Sequence, residues 1–199
     1  MSIDPYEAPA ETGGVTEFEP WDTDNPTAGF GIRALARVLD IVYVWSITIV
    51  AGITVGVGSL LLGFELNLDS HPAVDWIAGF VATLTFHAIC EGGFGATPGK
   101  LVCGLRVVDE KGHRTDIPAG FIRSMAYFVD ALFFGLVAYS QMNSSPMNQR
   151  FGDQWAGTVV VFAKDLPDGH SPGPLMGVIA ITVGSVLLMM CNVSPMLLG

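Results

Sequence analysis

The chain consists of long apolar stretches separated by short polar segments. Residues 41–64 and 171–199 contain no charged side chain. A helix needs ~20 mostly apolar residues to cross the ~30 Å hydrocarbon core of a bilayer, and both stretches are long enough. Residues 73–94 and 117–142 are also mainly apolar but carry a few charges. The pattern predicts an all-α membrane protein with a small transmembrane helical bundle.

Composition agrees with this prediction. Half of the residues are hydrophobic (50%), only 14% are charged, and the mean hydropathy is +0.49, which departs from the average of soluble domains. The first helix is expected to begin near Gly31 and to end near Gly63. The second is expected from about Ala73 to Phe94.

The third apolar stretch, residues 117–142, allows two topologies. Runs of β-forming residues flank it at 105–109 and 157–163, and a tight-turn sequence follows the first run. If these runs pair into a short cytoplasmic β cap, both flanks lie on one side, and the stretch is a re-entrant or interfacial hairpin. Asp130 in its middle agrees, since charge at membrane depth must be shielded. The alternative is a single crossing with Asp130 facing the bundle interior, which places the C-terminus on the opposite side.

The net charge of −10 arises mainly from the N-terminal segment. Seven of the nineteen acidic residues precede Phe30, and no Lys or Arg does. Residues 1–29 are rich in Pro, Thr, Gly and acid, so they are predicted to form a disordered acidic tail. The loop at 65–75 carries acids without Lys or Arg, whereas basic residues follow the second helix. Because orientation follows Lys and Arg in short loops, the N-terminus is expected in the cytoplasm and the protein in a plasma membrane as a multi-pass chain.

Charged residues on the first two helices are the first candidates for chemistry. Arg33, Arg37 and Asp40 are spaced to share one helix face. His87 and Glu91 are four residues apart and share a face of the second helix. The arginines either extend to lipid phosphates or pair with carboxylates. Glu91 is either a structural partner of Arg33 or Arg37, or a protonatable site in an ion path.

Two polar segments supply further charges. The glycine-rich segment before Lys100 lacks the spacing of a phosphate-binding loop, so it is expected to end the second helix and direct Lys100 at lipid headgroups. Arg150 and Asp153 lie three residues apart before the second β run, where an ion pair with residues of the cap or of the first helix would clasp the cap to the helices. If protonation of a carboxylate opens such a clasp, the clasp is a gate.

No catalytic, metal or cofactor site is expected. The three cysteines are far apart and form no C-x-x-C pair, and the histidines are not paired at metal-ligand spacing. No set of nucleophile, base and orienting acid has usable spacing. The protein is therefore not expected to be an enzyme, and neither a cofactor nor a nucleic-acid partner is expected.

Five segments, taken in order, resemble the RDD family of membrane proteins, named for an Arg and two Asp. They are GIRALARVLD at 31–40, EGGFGATPGK at 91–100, GLRVVDEKG at 104–112, Arg123 with Asp130, and QRFGDQWAGTVVV at 149–161. Arg33 or Arg37, Asp40, and Asp130 or Asp153 match the residues of the name. The resemblance implies an integral membrane protein, commonly bacterial, with a role in the transport of small solutes or ions.

The resemblance also divides the chain. The expected parts are the acidic tail at 1–29, an RDD-like transmembrane domain at 30–163, a linker at 164–173 and an additional transmembrane helix at 174–199. The tail and the final apolar run lie outside the matched segments, so functions specific to this protein are expected there.

Two functional hypotheses follow. In the first, the chain transports a small solute, a cation or protons, with Asp40, Glu91 and Asp130 as the binding carboxylates. The residues that gate or tune them are Arg33, Arg37, Lys100, Arg123, Arg150 and Asp153. A unit this small encloses little space, so transport is expected to need a homo-oligomer. In the second, the same charges are structural pairs in a membrane scaffold, whose acidic tail binds a protein partner.

Overall fold

The computed structural model describes residues 26–63, 72–166 and 181–186. Predictions for residues 1–25, for the loop at 64–71 and for most of 167–199 lie outside these ranges. Residues 26–166, without the gap at 64–71, contain six helices, α1 to α6, and two strands, β1 and β2, with short 3-10 turns at Leu132–Gly135 and Ala163–Asp165, and residues 181–186 are also helical.

The two long predicted helices are confirmed. Helix α1 spans Phe30–Leu62 and ends at Gly63, whose left-handed backbone lets its N–H donate to the Ser59 carbonyl. Helix α2 spans Pro72–Phe94 and is followed by Gly95, also left-handed. Helix α3, Pro98–Val102, then begins at a proline, which needs no hydrogen-bond acceptor in the first turn.

The predicted β cap is also present. Strand β1, Leu105–Asp109, pairs antiparallel with β2, Thr158–Phe162, and Val107 lies opposite Val160. Val107 and Val160 are buried with Leu105, Ala28 and Ala36 in one hydrophobic cluster. The sheet thus packs on the beginning of α1, and Ala28, at the end of the predicted tail, belongs to the packed structure.

Both outer edges of the sheet bond to the ends of the long helices. The Val107 N–H donates to the Gly95 carbonyl at 2.6 Å, just after α2. The Ala28 N–H donates to the Val160 carbonyl at 2.8 Å, just before α1. Two strands alone are marginally stable, and these bonds attach them to the helices.

The stretch at 117–142 is a helical hairpin rather than one continuous helix. Helix α4, Ile117–Ala131, ends in a 3-10 turn with positive φ at Phe133 (51°) and Gly135 (85°), and helix α5, Leu136–Ser144, follows. Both ends of the hairpin lie beside the sheet. Thr115 donates to the Glu91 carbonyl at 2.7 Å, and Gln149 donates to the Thr158 carbonyl at 3.0 Å. Both ends of the stretch therefore lie at the same end of the described structure, which is the geometry that the hairpin prediction requires.

Glycines set the two closest helix contacts. A Cβ on Gly99 of α3 would lie 2.1 Å from the Ala36 carbonyl oxygen of α1. A Cβ on Gly92 of α2 would lie 2.4 Å from the Ile117 Cα of α4, and one on Gly120 would lie 2.6 Å from the Ala88 carbonyl oxygen. Close backbone approach of this kind is how membrane helices pack without large side chains.

Two helices have the length and apolar composition of membrane spans, namely Phe30–Leu62 and Trp76–Phe94. Only 11% of the most apolar window of α1 is buried within the protein, and side chains such as Val42, Trp45 and Ile53 are exposed. Such a surface is unfavourable in water and favourable in lipid. Residues 181–186 are helical and pack here, with Ser185 Oγ 2.9 Å from the Tyr43 hydroxyl.

Candidate functional site

The polar stripe predicted on α1 faces the interior of the protein. Arg33 bonds to the Asp153 carboxylate and donates to the Asn148 carbonyl at 2.9 Å. Arg37 contacts His87, and Asp40 is buried against α3. The described contacts of both arginines are therefore with protein groups, so the interpretation of these arginines as lipid anchors is not supported by their contacts.

Asp40 holds the beginning of α3 against α1. Its Oδ2 accepts from the Thr97 hydroxyl and its Oδ1 from the Gly99 N–H, both at 2.7 Å. The first N–H groups of a helix lack acceptors within the helix, and a carboxylate is a favourable acceptor there. Asp40 thus caps α3 from the neighbouring helix.

Glu91 is held by two cations that differ from those expected. Oε1 accepts from Lys100 Nζ at 2.6 Å and Oε2 from Arg123 Nε at 2.7 Å. The expected partners, Arg33 and Arg37, are bound elsewhere. The expectation that Lys100 extends to lipid headgroups is also wrong, because this residue is buried and pairs with Glu91.

The surroundings of Lys100 weaken its hold on its proton. Burial lowers the pKa of Lys100 to about 8, and the nearby Arg123 and Arg150 act in the same direction, whereas Glu91 opposes them. Glu91 is therefore paired with one permanent cation and with one whose charge is lost at moderately alkaline pH.

Asp153 is the most strongly bound acid. It is fully buried at the beginning of α6, Phe151–Trp155, and pairs with Arg33, Arg123 and Arg150. Burial alone would raise the pKa of its carboxyl, but the three guanidinium groups hold that pKa well below its usual range. The contact of Asp153 with Arg33 is an ion pair with the first helix of the kind expected for this segment, and Arg150 Nε lies 3.3 Å from Asp153 Oδ1 in the same cluster.

Asp130 lies apart from Asp40 and Glu91. Its Oδ2 is 3.5 Å from Arg150 Nε, and neither of its oxygens has a hydrogen bond of good geometry within the described chain. The three candidate carboxylates therefore do not share one site. Asp40 and Glu91 line a common cavity, whereas Asp130 is not among its lining residues and contacts Arg150.

Arg37 lies over an aromatic ring. Its guanidinium lies 3.9 Å from the ring centre of Tyr127, and Nη1 contacts His87 Nε2. The other ring nitrogen of His87, Nδ1, is 2.8 Å from the Thr83 carbonyl and donates to it. His87 Nε2 is consequently the acceptor that faces Arg37.

A cavity of about 480 Å³ opens beside these charges. Helices α1, α2, α3 and α4 line it, together with Arg150. The cations in its wall are Arg33, Arg37, Lys100, Arg123 and Arg150, and the carboxylates are Asp40 and Glu91. The volume is within the range of small-molecule sites, and the wall is mainly basic at its charged end.

Sequence analysis missed the aromatic part of this cavity. Trp76, Phe80 and Tyr127 all line it. One signal was available for Tyr127, which lies four residues after Arg123 and so shares its helix face. In the ranges 26–63, 72–166 and 181–186, no group of three or more His, Cys, Asp or Glu side chains is arranged to hold a metal ion.

Comparison with known proteins identifies the family. The model of the RDD family matches residues 27–157, which include the chain from α1 to α6. No curated protein matches the chain, and no solved structure does. The family and the two long apolar helices indicate a membrane protein. The match covers well over half of the sequence, and the chain belongs to the RDD family.

Proposed function

We propose that this protein binds a small solute in the cavity between α1, α2 and α4 and takes part in its transport across the membrane. The observation that carries the proposal is the convergence of charged groups from four helices on one cavity of about 480 Å³. Charged side chains within or near membrane spans are costly, and solute pathways are a common reason for them.

The ion pairs define how such a transporter is gated. Asp153 links α1 and α4 through Arg33 and Arg123, so release of this carboxylate would free both helices. Glu91 is available to a cation or proton only when Lys100 moves away or loses its proton. Exchange of cations or protons is thus coupled, in this proposal, to the opening of the Lys100–Glu91 pair.

The arrangement in the membrane is part of the proposal. The basic residues around the β cap favour a multi-pass chain in the cell membrane, with the cap and the N-terminus in the cytoplasm. Two long helices and one short hairpin enclose little space, so transport would use a homo-oligomer. The surrounding bilayer is the other partner.

A membrane scaffold is the second candidate. It is supported by the partners of the carboxylates, since Asp40, Glu91 and Asp153 are each bound by groups of the same chain. Buried pairs of this kind are found for structural reasons as well. In this case the cap and the acidic N-terminal segment bind a cytoplasmic protein.

Ion flux in proteoliposomes distinguishes the two candidates. Purified full chain is reconstituted, and fluxes of protons, sodium, potassium and phosphate are measured under imposed gradients for the wild type, Asp40→Asn and Glu91→Gln. The matched control is Glu110→Gln, a carboxylate exposed on the cap turn. We expect flux above that of empty liposomes, lost in Glu91→Gln and kept in Glu110→Gln.

The opposite results are equally informative. Absence of wild-type flux under every gradient would remove transport by this chain alone and would favour the scaffold. Equal flux in wild type and Glu91→Gln would remove Glu91 from the site. Because loss of one partner of a buried pair costs about 3–5 kcal/mol, each variant is first shown to be monodisperse by size-exclusion chromatography.

A further inference from the structure

The cavity is elongated along one face of α2. Trp76, Phe80, Thr83, His87 and Glu91 line it and recur every three or four residues. At 1.5 Å per residue, the distance along the helix from Trp76 to Glu91 is about 22 Å. The wall is aromatic and aliphatic toward Trp76 and charged toward Glu91. A ligand that fills this space is apolar along its body and polar at one end.

The charged end favours an anion. Five cations and two carboxylates line the cavity, which is an excess of three positive charges. Asp40 and Glu91 already accept hydrogen bonds from groups of the protein, so neither is free to bind a cation. With the adjacent Asp130 and Asp153 included, five cations still face four carboxylates.

Two buried arginine donors at this end have no acceptor among the described residues. Arg123 is fully buried, and its Nη2 makes no hydrogen bond to any residue that the structure describes. The same holds for Arg37 Nε, in the guanidinium that lies on Tyr127. A buried donor without a partner costs free energy, more when it is charged. Phosphate and carboxylate groups match the planar array of guanidinium donors.

We propose that the cavity binds an amphiphilic anion, with a phosphate or carboxylate head at Arg37 and Arg123 and an apolar body along α2 from Leu84 to Trp76. The ligand class rests on the proposed function, since both concern the same cavity. A lipid of the surrounding bilayer and a free anion share the head chemistry, and the body distinguishes them.

Native mass spectrometry of the delipidated full chain in a neutral detergent tests the proposal. The probes are phosphatidylglycerol, phosphatidylcholine with the same acyl chains, and inorganic phosphate. We expect one phosphatidylglycerol bound per chain, with much weaker binding of phosphatidylcholine and of phosphate. Equal binding of the two lipids would overturn the anionic head. Phosphate binding as tight as that of phosphatidylglycerol would overturn the apolar body.

Two variants and one control locate the ligand. Arg37→Gln removes the half-buried cation and is expected to weaken phosphatidylglycerol binding about ten- to a hundredfold, as for loss of a charged hydrogen bond. Trp76→Ala, at an exposed position and therefore tolerant of change, is expected to weaken binding of the lipid but not of phosphate. Lys164→Gln removes one exposed positive charge on the cap and should have no effect. Wild-type affinity in both Arg37→Gln and Trp76→Ala would overturn the proposal.

The binding experiment tests the ligand class, and the flux experiment tests transport, so one can fail without the other. If phosphatidylglycerol binding depends on Arg37 but no flux is seen in proteoliposomes, the proposed ligand class is supported and transport by this chain is excluded. Flux without any preference for phosphatidylglycerol would keep transport and overturn the ligand class.

Discussion

Arg123 connects three parts of the protein through one guanidinium group. Its Nε donates to Glu91 of α2 at 2.7 Å, and its Nη1 bonds to Asp153 of α6 and to the Thr158 hydroxyl of β2 at 2.5 Å. Arginine suits this position because its donors are fixed in a plane and its charge persists when it is buried. A lysine there would offer a single ammonium group and could not reach all three acceptors.

Asp153 makes the stability of the protein depend on pH in the acidic range. The pKa of its carboxyl in the folded protein is held well below the usual value of about 3.9. The contribution of the ionised carboxylate to the free energy of unfolding is therefore complete above about pH 4 and is lost as pH falls through the pKa of the folded protein. We expect Asp153→Asn to lower the melting temperature at neutral pH. The difference from wild type should then narrow as pH falls below about 4. Thermal unfolding in detergent across this pH range measures it.

The control for this prediction is Asp165→Asn. Asp165 is a half-buried carboxylate in the 3-10 turn after β2, outside the cluster of arginines around Asp153. The melting temperature of Asp165→Asn should change with pH in parallel with that of the wild type. A difference between wild type and Asp153→Asn that is constant from neutral to acid pH would contradict the role given to the ionised carboxylate.

At the level of elements, the contact of α3 with α1 depends on the missing side chain of Gly99. Gly99→Ala would place a methyl group 2.1 Å from the Ala36 carbonyl oxygen and 2.9 Å from Asp40 Oδ1. Because backbone atoms cannot move aside cheaply, we expect a loss of about 1–3 kcal/mol in the free energy of unfolding. Chemical denaturation in mixed micelles, followed by circular dichroism, measures the change.

Gly56→Ala is the matched control for Gly99→Ala. A Cβ at Gly56 meets no atom within 4 Å among the described residues, and the position is inside α1. Alanine is the better helix former by up to about 1 kcal/mol, so stability should be unchanged or slightly higher. Equal losses of the free energy of unfolding in Gly99→Ala and Gly56→Ala would show that the α1–α3 contact is not the cause of the destabilisation.

The helices and strands were predictable because each depends on local pattern. Long apolar runs gave α1 and α2 nearly to the residue, and β-branched residues with a turn gave β1 and β2. The sequence left undecided whether the stretch 117–142 is one continuous helix or is broken into a hairpin. Positive φ at Phe133 and Gly135 follows from how the chain returns to the sheet, which no local pattern specifies.

The partners of the charges were less predictable for the same reason. Several cations near the membrane edge are equivalent by sequence, and packing decides which one reaches Glu91. Arg33 and Asp153 are 120 residues apart in the chain. The sequence offered Arg33 or Arg37 as partners of Glu91, whereas in the structure Glu91 pairs with Lys100 and Arg123, and Arg33 pairs with Asp153.

On the scale of the whole molecule, the charged cluster lies at the end of the described helices that carries the sheet. Helix α2 is 23 residues long, or about 34 Å, and its other end lies near Ala73. Its apolar face is exposed between these ends, with Ile77 and Val81 as examples. The described part of the molecule therefore has a basic end that carries the sheet and an apolar middle, and we expect this arrangement to favour one orientation in the membrane.

Cysteine labelling in intact cells tests that orientation. We expect Lys111→Cys, in the exposed turn after β1, to react with a membrane-impermeant maleimide only after the membrane is opened. Ala73→Cys, exposed at the opposite end of α2, should react in intact cells. Wild-type protein, which has native cysteines, gives the background. Labelling of Lys111→Cys in intact cells would contradict the cytoplasmic position of the cap.

The bonds between the sheet edges and the helix ends determine when the molecule is completed during synthesis. Gly95 and Ala28 are synthesised early, but Ala28 bonds to Val160 of β2. Strand β1 bonds to Gly95 through Val107 and has no paired strand until β2 has been synthesised. Contacts this distant in sequence form late. Both long helices are therefore synthesised before β2, whose residues join their ends. A chain cut short before residue 158 would keep both partners of the Lys100–Glu91 pair, but Arg123 would lack Thr158 and Ala28 would lack Val160.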